Sequence, residues 1–217
     1  MPETRHDRGG DLEPGRVRAL EGRIRRCRIC VERPLGPPLP HEPRPVCHLS
    51  ATARIAICGQ APGNRVHQSG LPFDDRSGDR LRHWMGVDRR TFYDRARIAV
   101  VPMGFCFPGY DAKGSDRPPR RECAPTWHET VFAAMPQVEL VVAIGAYAQA
   151  WHLGTARSAR VTQTVRDWRR HLHRNDGRPV LPTPHPSWRN TGWLKANPWF
   201  ESEVVPELRK RVARLAS

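Results

Sequence analysis

Four short apolar runs recur along the chain, Arg54–Gly59, Ile98–Met103, Leu140–Gly145 and Val180–Thr183. Runs of this length without alternation read as strands buried on both faces, the situation of a parallel sheet. Between them, apolar positions repeat at helical spacing: Val17, Leu20 and Ile24 mark a basic helix over Val17–Cys27, and further helices are expected at Gly78–Met85, Pro125–Met135, Ala146–Leu153 and Thr162–Leu172. An amphipathic helix from Trp199 to Leu215 closes the chain. Strand and helix in alternation predict an α/β fold, a three-layer α/β/α domain around a central four-stranded parallel sheet.

The polar stretches set the limits of that domain. Residues 1–15 are polar and charged and read as a flexible N-terminal tail, leaving 16–217 as a single domain with its N-terminal segment included. Prolines at 34, 37, 38, 40, 43 and 45 forbid regular helix or central strand and predict an extended crossover. The 217 residues suffice for one such core. No apolar run approaches the roughly 18 residues of a membrane span, and the opening Met1-Pro2-Glu3-Thr4-Arg5 carries no hydrophobic signal. The expectation is a cytoplasmic protein without membrane contact, associated with the nucleoid in a bacterial cell.

Charge adds a partner. The 36 basic residues exceed the 22 acidic ones by 14, and lysine occurs only at 113, 195 and 210. Arginine pairs bidentately with phosphate and stacks on bases, so this balance fits a nucleic acid, although arginine-rich usage alone produces the same count.

Cysteine use points to a metal. A cytoplasmic chain keeps its thiols reduced. Cys27 and Cys30 have the spacing of a chelating pair, and Cys106 and Cys123 flank a loop rich in proline and glycine that can fold back on itself. Four thiolates suit a zinc ion or an iron–sulfur cluster. Cys58 reads as a small core residue within the first strand, and Cys47 has no evident partner.

Two loops follow strands, where ligands of open α/β sheets bind: Gly59-Gln60-Ala61-Pro62-Gly63 after the first and His185-Pro186-Ser187 after the last. Together with Ser69-Gly70-Leu71-Pro72-Phe73 they resemble, in order and spacing, the active-site motifs of the uracil-DNA glycosylase superfamily, over roughly Cys27 to Trp193. The resemblance implies a monofunctional DNA glycosylase that flips uracil or a related base and hydrolyses its N-glycosidic bond, acting on single- or double-stranded DNA. Gly-x-Ala-Pro-Gly with the four cysteines is similar to the iron–sulfur branches, families 4 and 5, and implies a structural [4Fe–4S] cluster on Cys27, Cys30, Cys106 and Cys123. His185-Pro186-Ser187-Trp188-Arg189-Asn190 is more similar to the single-strand-selective monofunctional branch.

Chemistry gives each residue a task under this resemblance. Negative charge grows on the departing base and positive charge on the sugar, so donors aimed at the base oxygen lower the barrier. His185 and the backbone N–H of Gln60 are the expected donors, Phe73 the stacking platform for the flipped base, and Ala61 and Asn190 further base contacts. Asp75, with Asp74 as second choice, is expected to position the hydrolytic water. Ser187, Trp188 and Arg189 are expected to contact DNA. No lysine neighbours either motif, which speaks against a Schiff-base lyase.

Two departures from the family pattern stand out. Ala61 occupies the place of an aspartate found in the superfamily's efficient members, and Pro102 that of an asparagine that reads the uracil edge. They leave open a second reading, a nucleic-acid binding module that keeps the fold without efficient hydrolysis. A third, an unrelated zinc-bearing α/β hydrolase of nucleotides, follows if the motifs are set aside.

Overall fold

In the computed structural model, residues 13–175 and 177–217 are described. Four strands, β1 (Ile55–Cys58), β2 (Ile98–Val100), β3 (Leu140–Ile144) and β4 (Val180–Thr183), form one all-parallel sheet in the order β2-β1-β3-β4. Ile55 stands in register with Ile98 on one side and Leu140 on the other.

Alternation along the strands sorts the two faces. Ala56, Cys58, Ala99 and Ala143 give one face small side chains, against which pack α1 (Glu13–Arg25), α6 (Cys123–Ala133) and α7 (Gly145–Leu153) through Val17, Ile24, Val131 and Ala148. The opposite face carries Ile55, Ile57, Val100 and Val142 and is covered by α4 (Arg76–Met85), α5 (Arg89–Tyr93), α8 (Val161–Arg166), α9 (Trp168–Leu172) and α11 (Val205–Leu215). On that side Trp84 meets Phe200 edge to face, with centroids 4.8 Å apart. Burying side chains of this size contributes about 1.5–3 kcal/mol each. The expected three-layer α/β/α architecture is the one found.

Several expected boundaries move, each for a local reason. Residues 13–15 belong to α1, with Pro14 in the first turn, where a missing N–H costs nothing. The rest of the expected tail, 1–12, lies outside the described residues. Strand β2 ends at Val100, because Pro102 cannot donate, although the N–H groups of Val101 and Met103 still reach the carbonyls of Ile57 and Gly59 at 2.8 Å. The expected helix Thr162–Leu172 divides at Asp167 into α8 and α9. Ahead of α11 the chain widens into a π turn over Phe200–Val204, since Pro206 has no N–H to offer the preceding turn.

Four short helices escape the periodicity, α2 (Ile29–Glu32), α3 (Asn64–Ser69), α5 and α10 (Thr191–Ala196). The segment 34–45 has no regular secondary structure, and Cys58 and Cys47 are both buried in the core.

Candidate active site

The carboxyl ends of β1 and β4 open onto a cavity of about 530 Å³. Gly59, Gln60, Ala61 and Gly63 line it from the first loop, Phe73, Asp75 and Ser77 from the second, and His185, Ser187, Trp188 and Arg189 from the last. Pro102 and Val100 close its floor, and Tyr110, Asp116 and Arg117 form the remaining wall.

Phe73 is held in a conformation its side chain disfavours. Its φ is 53°, in the left-handed region that non-glycine residues seldom enter. Gly78 makes this possible: a Cβ there would stand 1.8 Å from the Phe73 carbonyl oxygen. That oxygen also accepts hydrogen bonds from Arg82 Nη1 and Tyr93 Oη, both at 3.3 Å. The ring of Phe73 is thereby laid over the first loop, 3.2 Å from where a Cβ on Gly59 would be, and edge-on to Phe92.

The two neighbouring aspartates part ways. Asp75 caps α4, its Oδ1 accepting from the Gly78 N–H at 2.9 Å, and it faces the cavity. Asp74 pairs with Arg89 Nη2 at 2.9 Å, which holds its carboxyl below the usual range, and it lines no part of the cavity.

Burial pushes the pKa of His185 down, and the negative charge of Asp75 offsets this only in part. The imidazole is therefore neutral at neutral pH and presents a single N–H. Asn190 does not reach the cavity: its Nδ2 donates to the His185 carbonyl at 2.7 Å, so the residue expected at the base fixes the histidine loop instead. Arg80 Nη1 steadies the same loop through the Ser187 carbonyl at 2.8 Å. Trp188, 68% exposed, stands out from the rim with Arg189 over its ring.

Gln60 and Pro102 have other commitments. The amide of Gln60 donates to the Arg117 carbonyl at 3.3 Å, leaving the backbone N–H of Gln60 as the group for a ligand. The Pro102 carbonyl accepts from His128 Nε2 at 3.0 Å; burial holds His128 at a pKa of about 4, so the ring is neutral. No lysine lines the cavity among the described residues. Tyr110, Asp116 and Arg117 were not anticipated; the turn-forming Gly109 and Gly114 around them were the only signal, and it says nothing of where the loop lands.

The four candidate metal-binding cysteines lie near one another, with Cys30 and Cys106 packed against Leu39 of the proline-rich segment. None forms a disulfide; Cys27 is partly exposed, and Cys30, Cys106 and Cys123 are buried. Burial, with a smaller contribution from neighbouring cysteines, raises the Cys30 thiol to about 11 and Cys106 to about 12, and pushes Cys123 up as well. Donors already point at the sulfurs, the Phe105 N–H at 3.3 Å from Cys123 Sγ and the Arg120 side chain at Cys30. Among the described residues, no three of Cys, His, Asp and Glu converge tightly enough to hold a single ion.

A cavity at the carboxyl edge of a parallel α/β sheet, walled by a glycine–proline loop and a histidine loop, stands where proteins of this fold class bind their ligands. The family model of the uracil DNA glycosylase superfamily matches residues 47–209, and the chain belongs to that superfamily. Among solved structures, the chain is similar to the solution NMR structure of a candidate uracil DNA glycosylase from Methanosarcina acetivorans. The two are 15% identical, with a TM-score of 0.44, over 76% of this chain and 94% of that one. Membership removes the reading as an unrelated nucleotide hydrolase. No helix among the described residues is long and apolar enough to cross a membrane.

Proposed function

We propose that this protein is a monofunctional DNA glycosylase that takes uracil or a related deaminated base out of the stack and hydrolyses its N-glycosidic bond, leaving an abasic site. The observation that carries the reading is the meeting of Gln60, Phe73, Asp75 and His185 on one cavity. A flipped base stacks on Phe73. Neutral His185 and the Gln60 backbone N–H donate to the base oxygen, where charge develops as the bond breaks. Asp75 orients the attacking water, and Ser187, Trp188 and Arg189 grip the DNA. The absence of lysine from the lining among the described residues supports hydrolysis by water over a Schiff base.

A gel assay tests this: uracil-containing single- and double-stranded oligonucleotides are incubated with the protein, then cleaved with alkali at abasic sites. Asp75→Asn is expected to slow single-turnover excision about 10²-fold or more, while Asp74→Asn stays within a few-fold of wild type. Equal rates for Asp75→Asn and wild type would place water elsewhere. Ala61 in the cavity wall, with no carboxylate of its own, favours the second reading, a binding module without efficient hydrolysis. No excision of uracil, hypoxanthine or xanthine by the wild type would select it.

In the same reading Cys27, Cys30, Cys106 and Cys123 hold a [4Fe–4S] cluster. The donor set fits: four thiols, three of them buried, sense one another's charge and have N–H donors in place. Four sulfurs around one zinc stand about 2.3 Å from a common point, a closer gathering than a cluster requires. The cluster's part is structural, tying the N-terminal segment and the 106–123 loop to the DNA-facing edge. Protein purified without oxygen is expected to be brown, with about four irons per chain. Zinc in place of iron would make the zinc alternative correct.

A further inference from the structure

The loop between Cys106 and Cys123 delivers a second carboxylate to the cavity, and no step above uses it. Gly109 and Gly114, with φ of 85° and 73°, let the chain fold back so that Tyr110 and Asp116 pair as an antiparallel bridge. The Arg117 N–H closes this small hairpin on the Gly109 carbonyl at 2.9 Å, and the Gln60 amide fastens it to the first loop. Asp116 is thereby set against that loop: a Cβ on Gly63 would lie 3.5 Å from its Oδ2.

Depth decides what this carboxylate can reach. Pro102 and Val100, at the floor, are buried, whereas Asp116, Tyr110 and Trp188 are exposed at the mouth. On the glycosylase reading, a base inserted into the cavity puts its ring toward the floor and its sugar at the mouth, the level at which Asp116 stands. A carboxylate at that point is costly for a chain of net charge +14 that meets a polyanion, because it faces the DNA backbone. Asp116 has no hydrogen bond or ion pair among the described residues that would explain it as a structural group. Arg189 of the last loop and Asp75, the cap of α4, act on it electrostatically, and His185 and Arg117 line the same cavity. Partial enclosure by the cavity wall raises its pKa, as does the charge of Asp75, against the opposing pull of Arg189.

We propose that Asp116 is a further catalytic residue, the general base that takes the proton from the water Asp75 orients at the sugar. The proposal rests on the glycosylase reading. As the bond between the sugar's C1′ and the base nitrogen breaks, its electron pair leaves with the base, and the water oxygen forms the new bond to C1′. The water's proton passes to the Asp116 carboxylate and then to solvent, while the departing base anion takes up a proton. The division of labour follows from geometry. Asp75 has one oxygen committed to the Gly78 N–H, which suits a fixed orienting group, whereas neither Asp116 carboxylate oxygen has a hydrogen-bond partner among the described residues.

Asp116→Asn tests this, measured as single-turnover excision and as binding to a duplex carrying an uncleavable 2′-fluorinated deoxyuridine. Excision is expected to fall about 10²-fold or more, and binding to stay equal or tighten, since a negative charge facing phosphates is gone. The wild-type rate should also rise with pH on its acid side along a limb that the variant lacks. A variant as fast as wild type overturns the proposal, and so does weakened binding that accounts for the whole loss of rate. If the wild type excises no base, the glycosylase reading fails and this proposal with it; if it excises and Asp116→Asn keeps pace, this proposal alone fails.

Discussion

His185→Ala is expected to lower single-turnover excision by about 10²–10³-fold, the usual cost of removing one donor from a developing anion. The effect is large because the loop that carries the imidazole is held at two points and the ring itself is screened from solvent. Asn190 fixes the backbone of the loop at the His185 carbonyl, Arg80 fixes it again at Ser187, and burial keeps the ring neutral. A neutral donor gains most in the transition state, when the base oxygen becomes anionic, and little in the ground state, so the loss should fall on the chemical step. Binding of the uncleavable duplex should therefore change far less than the rate. Comparable losses in both would make His185 a substrate-binding group and shift the catalytic load to the Gln60 backbone. Asn190→Ala, which frees the loop without touching the ring, should give a smaller loss of the same kind.

Much of this was written in the sequence where the physics is local. Apolar runs such as Leu140–Ile144 announce buried parallel strands, and Asp75 before Arg76-Ser77-Gly78 announces a capped helix, because strand burial and capping depend on neighbouring residues. Helix α3 was hidden by its composition: only Val66 of its six residues is buried, so no apolar period exists to find. Helix α5 had a signal that periodicity misses, Asp88 accepting from the Thr91 N–H at 2.7 Å. The site was legible for its two loops and illegible where long-range contacts decide. Nothing near Asn190 says that its amide turns back to His185, and nothing near Asp116 says that residues 109–117 fold onto Gly63. The sequence ranks Asp75 above Asp74 without setting Asp74 aside; Arg89, fifteen residues away from Asp74, removes it from the cavity.

Gly78→Ala separates local propensity from tertiary geometry most sharply. Within a helix, alanine is favoured over glycine by about 1 kcal/mol, so propensity alone makes this substitution stabilising in α4. The structure demands the reverse. The added methyl would lie 1.8 Å from the Phe73 carbonyl oxygen and 2.7 Å from its carbonyl carbon, both backbone atoms that cannot rotate aside. Moving them means breaking the bonds from Arg82 and Tyr93 and releasing the φ of 53° at Phe73. The Asp75 cap on the Gly78 N–H would shift with them. The expected outcome is a loss of about 1–3 kcal/mol in urea unfolding, typical of overpacking, together with a fall in excision larger than that of a mutant equally destabilised elsewhere. Gly22→Ala in α1 is the matched control, since a Cβ there meets only the Arg26 side chain at 3.7 Å. It should gain up to about 1 kcal/mol and excise at the wild-type rate. If Gly78→Ala were as stable and as active as wild type, the Phe73 platform would not be held by this contact, and the stacking surface of the cavity would have to be sought in another conformation of the 70–75 loop.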